Sequence, residues 1–218
     1  ASEQIFKTLG VWGGIVSRRA CPYRRMKVWE SDESLASTEF ISDDIGADHL
    51  GYIVENRIIQ LALLERLSQF DNVDLICPAE TVDIDYSPGS SLLRLADGRE
   101  LIGKLMIAAD GGGSQVRMAA GIGVHSWDYY QHALVATVIT GLPQQDITWQ
   151  QFTPDGPLAF LPLSGHRASL VWYNRPSQVR RLLSLDSSEF IDEITRTFPE
   201  RLGRIESVIE RGAFPLRR

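Results

Sequence analysis

Residues 104–117, Lys-Leu-Met-Ile-Ala-Ala-Asp-Gly-Gly-Gly-Ser-Gln-Val-Arg, indicate a buried strand that passes through a glycine turn into a helix. The apolar run ends at Asp110-Gly111, and Ser114 stands where the helix would begin. At such a turn a backbone can approach a phosphate or a ribose, and an acidic side chain can accept hydrogen bonds from sugar hydroxyls. The stretch fits a nucleotide-cofactor site. It fits equally an ordinary strand-to-helix turn with Ser114 as the N-cap.

The composition is that of a globular protein with a hydrophobic core. Of the 218 residues, 44% are hydrophobic and 23% are charged, and the net charge is −6. This charge argues against nonspecific nucleic-acid binding, because such binding needs a basic surface. No apolar run approaches the roughly 20 residues that cross a bilayer, and no signal peptide is visible. We expect neither a nucleic-acid partner nor a membrane-spanning segment.

The cysteines and histidines show no metal-binding pattern. Cys21 and Cys77 lie far apart and form no C-x-x-C pair, and the four histidines have no ligand-like spacing. The sequence therefore predicts reduced thiols and no metal site.

Apolar periodicity predicts five helices, over residues 3–9, 11–19, 56–70, 114–121 and 187–198. Strands are predicted over residues 24–30, 35–41, 73–76, 81–86, 92–95, 99–102, 104–109, 133–139, 148–152, 158–162 and 168–173. Asp97-Gly98 between two apolar runs indicates a hairpin. Successive strands joined by tight turns predict an α+β fold, with a largely antiparallel sheet and helices on one face. A βαβ-like remnant is expected near residues 52–121.

The pattern Asp110-Gly111-x-x-Ser114-x-x-Arg117 resembles the Asp-Gly motif of the class A flavin-dependent aromatic hydroxylases. Further stretches resemble the ubiquinone-biosynthesis branch of that family: Leu-Gly-Val-Trp at 9–12, Cys-Pro-Tyr-Arg-Arg at 21–25, Leu-Gly-Tyr-Ile-Val-Glu-Asn at 50–56, Trp-Gln-Gln-Phe-Thr-Pro-Asp-Gly-Pro at 149–157 and Phe-Leu-Pro-Leu at 160–163. The resemblance covers essentially the whole chain in the expected order.

The resemblance implies the central portion of a longer hydroxylase. Members of the family begin with a G-x-G-x-x-G turn that holds the ADP part of FAD, and they carry Gly-Asp-Ala-x-His after the sheet domain. Neither Gly-Gly-Gly at 111–113 nor Gly-Ile-Gly at 121–123 completes the first pattern, because Val116 and Ser126 stand where its last glycine belongs. The implied division is a partial FAD-binding domain at 1–19 and 52–121, and a substrate-binding sheet domain at 20–51 and 122–218.

The resemblance also implies which side chains contact the cofactor. Glu55 lies where the helix after the Val-Glu-Asn strand approaches the flavin, and Asp110 would face the ribose and pyrophosphate. Arg117 would lie near phosphate charge or the pyridine nucleotide. Structural alternatives stay open: a capping pair at 55–56, an N-cap at Ser114, and a solvated or ion-paired Arg117. The expected cofactor-binding residues are Glu55, Asn56, Asp110, Gly111, Ser114 and Arg117. Since the phosphate-binding loop is missing, we expect this chain to retain FAD and NAD(P)H poorly.

The activity implied is hydroxylation of a polyprenylated benzoquinol ring with FAD, NAD(P)H and O2. Such a protein positions the ring, excludes water and favours the ionised ring hydroxyl. A long apolar groove is expected for the prenyl tail, and His132 could hydrogen-bond a ring hydroxyl. The candidate lining residues are Leu134, Val135, Phe152, Phe160, Leu161, Pro162, Trp172 and Tyr173. Each of these lining residues also fits a plain sheet core, and no catalytic base is assigned.

Two other functions are compatible with the sequence. One is a non-catalytic scaffold that assembles with other ubiquinone-biosynthesis proteins. The other is a different aromatic-ring flavoenzyme, such as a phenol hydroxylase or a halogenase. In each case we expect a cytoplasmic protein with at most peripheral association at the inner membrane.

Overall fold

The computed structural model describes residues 2–30, 36–87, 89–198 and 203–217. Its helices are α1 (Ser2–Thr8), α2 (Trp12–Arg19), α3 (Asn56–Leu67), α4 (Gln115–Ala119), α5 (Pro176–Ser184) and α6 (Ser187–Thr197), with a 3-10 turn at Ser42–Ile45. Its strands are β1 (Ala20–Tyr23), β2 (Arg25–Glu30), β3 (Ser37–Ile41), β4 (Gly51–Val54), β5 (Thr81–Ser87), β6 (Ser90–Leu95), β7 (Glu100–Gly103), β8 (Asp128–Thr140), β9 (Ile147–Thr153), β10 (Gly156–Leu163), β11 (Arg167–Asn174) and β12 (Ile205–Arg217). The chain divides into two units, residues 1–70 with 128–218, and residues 71–127.

A seven-stranded sheet organises the larger unit, with the strand order β12-β8-β11-β10-β9-β2-β3. Neighbouring strands are antiparallel except for β2 and β9, which run parallel. Because successive side chains of a strand point to opposite faces of the sheet, the two faces carry different sets of residues, and one face can be covered by helices independently of the other. Helices α5 and α6 cover one face, as the predicted α+β arrangement requires.

The core lies between this face and the two helices. Phe190 of α6 is fully buried, and the Arg211 guanidinium of β12 lies 4.9 Å from its ring centre. Helix α6 starts in a capping box: Asp186 Oδ1 accepts from the Glu189 amide at 2.9 Å, and Glu189 Oε2 accepts from the Asp186 amide at 3.0 Å. These caps fix the start of the helix that places Phe190 on the sheet.

A second core in the same unit joins α2 and α3. Ile15 and Ala62 are buried at this helix contact. Beside it, β1 and β4 form a two-stranded antiparallel sheet in which Tyr23 faces Gly51. A Cβ atom at Gly51 would lie 3.0 Å from the Tyr23 hydroxyl oxygen, so a larger residue at position 51 would require the Tyr23 side chain to shift.

The smaller unit contains the antiparallel sheet β5-β6-β7 and the short helix α4. The predicted hairpin is confirmed, because Gly98 turns between β6 and β7 with φ +88°. Asp97 Oδ1 accepts from the Arg99 amide at 3.1 Å and closes the turn.

Two predicted strands are wrong. Residues 73–76 and 104–109 form no strand and pair with no strand in the described part of the chain. Leu105 and Ile107 are 77% and 81% exposed. An apolar run becomes a strand only where a neighbouring strand supplies the hydrogen-bond ladder. The βαβ-like pattern expected at 52–121 likewise has no parallel strand pair among its described residues.

Three elements were not predicted: β1, α5 and β12. Strand β4 corresponds to the strand with which the βαβ-like pattern was expected to begin near residue 52. In the edge strand β12, charged residues and a proline interrupt the alternation of apolar and polar side chains that would indicate a strand. Helix α5 begins with Pro176, a residue that is common in the first turn of a helix. Residue 35, where one strand was predicted to start, lies outside the described residues. In the described ranges no helix is long and apolar enough to cross a membrane.

We expect Phe190→Ala to lower the free energy of unfolding by about 3–5 kcal/mol, because it leaves a cavity under α6. Phe214→Ala is the matched control: Phe214 lies on β12 but is 62% exposed. Its loss should cost less than about 1 kcal/mol. Urea unfolding followed by circular dichroism measures both values, and equal losses would contradict the core position of Phe190.

Candidate functional site

The Asp-Gly turn of the smaller unit is held together by its own polar side chains. Asp110 Oδ2 accepts from the amides of Gln115 at 2.8 Å and Val116 at 3.4 Å. The Ser114 hydroxyl oxygen accepts from the Arg117 amide at 3.0 Å, which makes Ser114 the N-cap of α4. The first amides of this five-residue helix therefore have partners within the turn.

Asp110 is an ionised cap. The hydrogen bond from the Ser114 side chain, supported by the amides of Val116 and Gln115, holds the pKa of the Asp110 carboxyl below its usual range. A carboxylate in this state can only accept hydrogen bonds. Asp110 thus fixes the turn and presents a negative acceptor at the surface.

Arg117 is the least satisfied polar side chain at the turn. Its Nη1 donates to the Gly112 carbonyl at 3.0 Å, whereas its Nε is buried and has no hydrogen-bond partner in the part of the chain that the structure describes. Gly111 has φ +84°, a left-handed conformation that favours glycine. Asp110, Gly111, Ser114 and Arg117 line a cavity of about 390 Å³. The structure therefore brings four of the six predicted cofactor residues together.

Glu55 and Asn56 lie in the other unit, at the start of α3. Glu55 occupies the N-cap position, but its side chain makes no capping hydrogen bond. Instead, Glu55 Oε2 lies 2.9 Å from Arg19 Nε. Asn56 is exposed in the first turn. The capping-pair alternative is therefore wrong for Glu55. Arg19 was not predicted as its partner, since nothing in the local sequence connects α2 to this position.

The strand register separates the predicted substrate-lining residues into two groups. Leu134, Phe160, Pro162 and Trp172 lie on the face covered by α5 and α6, and all four are buried. Phe160 also stacks on Phe198 at 5.2 Å. His132 shares this face in the first half of β8 and is half-buried. These residues form or border the core beneath the helices.

The second group lies on the opposite face of the sheet. Val135, Leu161 and Tyr173 are half-buried there, and Phe152 is 45% exposed. Neither α5 nor α6 covers this face, but Thr148, Ala159 and Leu163 are buried on it, and β1 and β4 contact β10. Of the predicted lining residues, only this group is placed to contact a molecule on the surface of the sheet.

Metal ligation has no support in the described ranges, where no group of three or more His, Cys, Asp or Glu side chains could hold an ion. Both cysteines are free; Cys21 is buried and Cys77 exposed. Burial raises the pKa of the Cys21 thiol to about 11, so this thiol is protonated and unreactive at neutral pH.

Comparison with known proteins identifies the relatives of the chain. No protein-family model matches it. Over all 218 residues it is 41% identical to 3-demethoxyubiquinol 3-hydroxylase of Escherichia coli (strain K12), of which it covers 55%. It is 38% identical to the ubiquinone biosynthesis monooxygenase COQ6, mitochondrial, of Mus musculus, over 90% of this chain and 43% of that protein.

The chain is homologous to ubiquinone-biosynthesis hydroxylases. Ubiquinone hydroxylase UbiL of Rhodospirillum rubrum is a further relative, 32% identical over 99% of this chain and 50% of UbiL. The chain spans about half the length of these curated relatives. The resemblance seen in the sequence is confirmed.

Solved structures confirm the fold class. PqsL, a probable FAD-dependent monooxygenase from Pseudomonas aeruginosa, superposes with a TM-score of 0.74 at 19% identity, over 94% of this chain and 60% of that chain. CmlS, a flavin-dependent halogenase, superposes with a TM-score of 0.73 at 17% identity, over 97% of this chain and 40% of that chain. At these identities the likeness concerns the fold alone.

We expect the amides of Gln115 and Val116 to report the titration of Asp110. Because the pKa of this carboxyl is lowered in the folded chain, its stabilising effect is complete above the ordinary aspartate value of about 3.9. It is lost as the pH falls through the lower folded value. Amide NMR shifts recorded from pH 7 to pH 2 should therefore show a midpoint below about 3.9.

The variant Asp110→Asn is the control, since it keeps the size of the side chain and removes the titrating group. Its amides at 115 and 116 should show no such midpoint. A midpoint at or above the ordinary aspartate value in the unaltered chain would contradict the ionised cap.

Proposed function

We propose that the full-length gene product containing this chain is an FAD-dependent monooxygenase of ubiquinone biosynthesis, which hydroxylates a polyprenylated benzoquinol ring with NAD(P)H and O2. The observation that carries the proposal is 41% identity, over the complete chain, to a protein named 3-demethoxyubiquinol 3-hydroxylase. The stretches 21–25 and 149–157 resemble 2-octaprenyl-3-methyl-6-methoxy-1,4-benzoquinol hydroxylase, which favours a methoxylated quinol of that type as the substrate.

The Asp-Gly turn suits the dinucleotide part of FAD. The buried Nε of Arg117 has no acceptor among the described residues, and a phosphate oxygen accepts well from a guanidinium. Asp110 is an ionised acceptor for ribose hydroxyls, and Gly111 presents no side chain to an approaching ligand. When bound, FAD supplies the redox chemistry, taking electrons from NAD(P)H and activating O2.

The face of the seven-stranded sheet opposite α5 and α6 is the surface we assign to the substrate. Phe152, Leu161 and Tyr173 offer apolar and aromatic area on this face. Contact with these side chains would orient the quinol ring and exclude water from it. A polyprenyl tail partitions into lipid, so we include peripheral contact with the membrane, and with other proteins of the pathway, in the proposal.

The visible absorption spectrum of the purified full-length gene product tests the cofactor. We expect flavin bands that bleach when NAD(P)H is added without oxygen. Arg117→Gln should weaken FAD binding by about tenfold or more, because a hydrogen bond between charged groups is worth about 1.5–3 kcal/mol. Arg99→Gln is the matched control in the same unit, where Arg99 pairs with Asp97 at the surface.

A protein that stays colourless with added FAD would refute the monooxygenase and leave the scaffold function. Flavin affinity that falls equally in the Arg117 and Arg99 variants would instead remove Arg117 from the cofactor site while leaving the enzyme intact. Titration of each variant with FAD, followed by flavin fluorescence, separates these results.

A further inference from the structure

A cavity of about 340 Å³ in the larger unit is lined by none of the residues assigned above to the cofactor or to the substrate. It is formed where two stretches that resemble the ubiquinone branch come together. Trp12 ends the first stretch, and Tyr52 and Val54 belong to the second. Helix α1 contributes Glu3 and Phe6 to its wall. Two motifs distant in sequence therefore form one concave surface.

Aromatic rings form much of the wall. The ring centre of Tyr52 lies 4.9 Å from that of Trp12, with the planes at 79°. On its other side, the Tyr52 ring centre lies 4.5 Å from that of His49 at 63°. Edge-to-face contacts of this kind hold Tyr52 between two partners, and a further ring can join them through the same geometry.

The polar end of the cavity is the Glu3 carboxylate, which is paired with Lys7 and with His49. Lys7 Nζ lies 2.6 Å from Glu3 Oε1, and His49 Nε2 lies 3.0 Å from Glu3 Oε2. The hydrogen bond with Lys7, and then that with His49, lowers the pKa of the Glu3 carboxyl, so Glu3 is ionised at neutral pH. Each carboxylate oxygen has two acceptor positions, so Glu3 can accept one more hydrogen bond without losing either neighbour.

We propose that this cavity binds a hydroxylated aromatic ring, with a ring O–H donating to Glu3 and the ring packing against Trp12 and Tyr52. The size agrees, since ligand cavities begin near 300 Å³ and this one holds a single ring better than a dinucleotide or a prenyl tail. Anionic ligands fit poorly beside the Glu3 carboxylate. Only the identification of the ring as a benzoquinol rests on the proposed function.

The test titrates the 218-residue chain with two probes under argon, methoxyhydroquinone and 1,4-dimethoxybenzene, and follows binding by calorimetry. The second probe keeps the ring and lacks the O–H groups. We expect methoxyhydroquinone to bind about tenfold more tightly, the effect of one hydrogen bond to a charged acceptor. Glu3→Gln should remove most of this preference. Tyr52→Leu should weaken the binding of both probes, because the ring packs against Tyr52 in the proposed complex.

Glu65→Gln is the matched control: Glu65 lies in the same unit, pairs with Arg18 at the surface and does not line the cavity. Equal affinity for the two probes, an unchanged preference in Glu3→Gln, or no binding of methoxyhydroquinone would overturn the proposal. If circular dichroism shows that Tyr52→Leu does not fold, the comparison of the two probes and the Glu3→Gln variant still test the proposal. No flavin takes part, so this result is independent of whether the full-length protein binds FAD.

Discussion

The larger unit depends on the parallel pairing of β2 with β9, which joins residues 25–30 to residues 147–152 across a long separation in sequence. Closing so long a loop costs conformational entropy, so the junction must be held by specific contacts. Asp146 supplies them: its carbonyl accepts from the amides of Arg24 at 2.7 Å and Arg25 at 3.0 Å, and its own φ is +55°. The register set there extends the sheet to β2 and β3, and it brings Trp29 into the core beneath the helices.

The same register explains how far the sequence could predict the substrate surface. Alternation and tight turns identify β8 to β11, because both signals are local. Alternation groups Leu161 with Tyr173 and Phe160 with Trp172, but it does not say which group is covered. That choice depends on α5 and α6 packing against one face, and α5 was not predicted. The candidate list therefore combined core residues with surface residues.

The cofactor turn shows a different limit. The N-cap at Ser114 could be predicted, since serine before a helix is a local signal. The hydrogen bonds from the Gln115 and Val116 amides to the Asp110 carboxylate depend on the left-handed conformation of Gly111, which bends the chain between them. The strand expected at 104–109 failed for the opposite reason: its apolar residues were read correctly, but a strand also requires a partner that the described chain does not supply.

The two candidate sites share one physical principle, which is that a carboxylate is fixed before a ligand arrives. Asp110 is held by Ser114 and two amides, and Glu3 is held by Lys7 and His49. In each case the internal hydrogen bonds keep the carboxyl ionised and orient it, so little side-chain entropy is lost when a hydroxyl donor binds. A ribose and a quinol ring both present such hydroxyls. The two proposals therefore use Asp110 and Glu3 in the same way, as ionised acceptors that are already oriented toward a neutral hydroxyl donor.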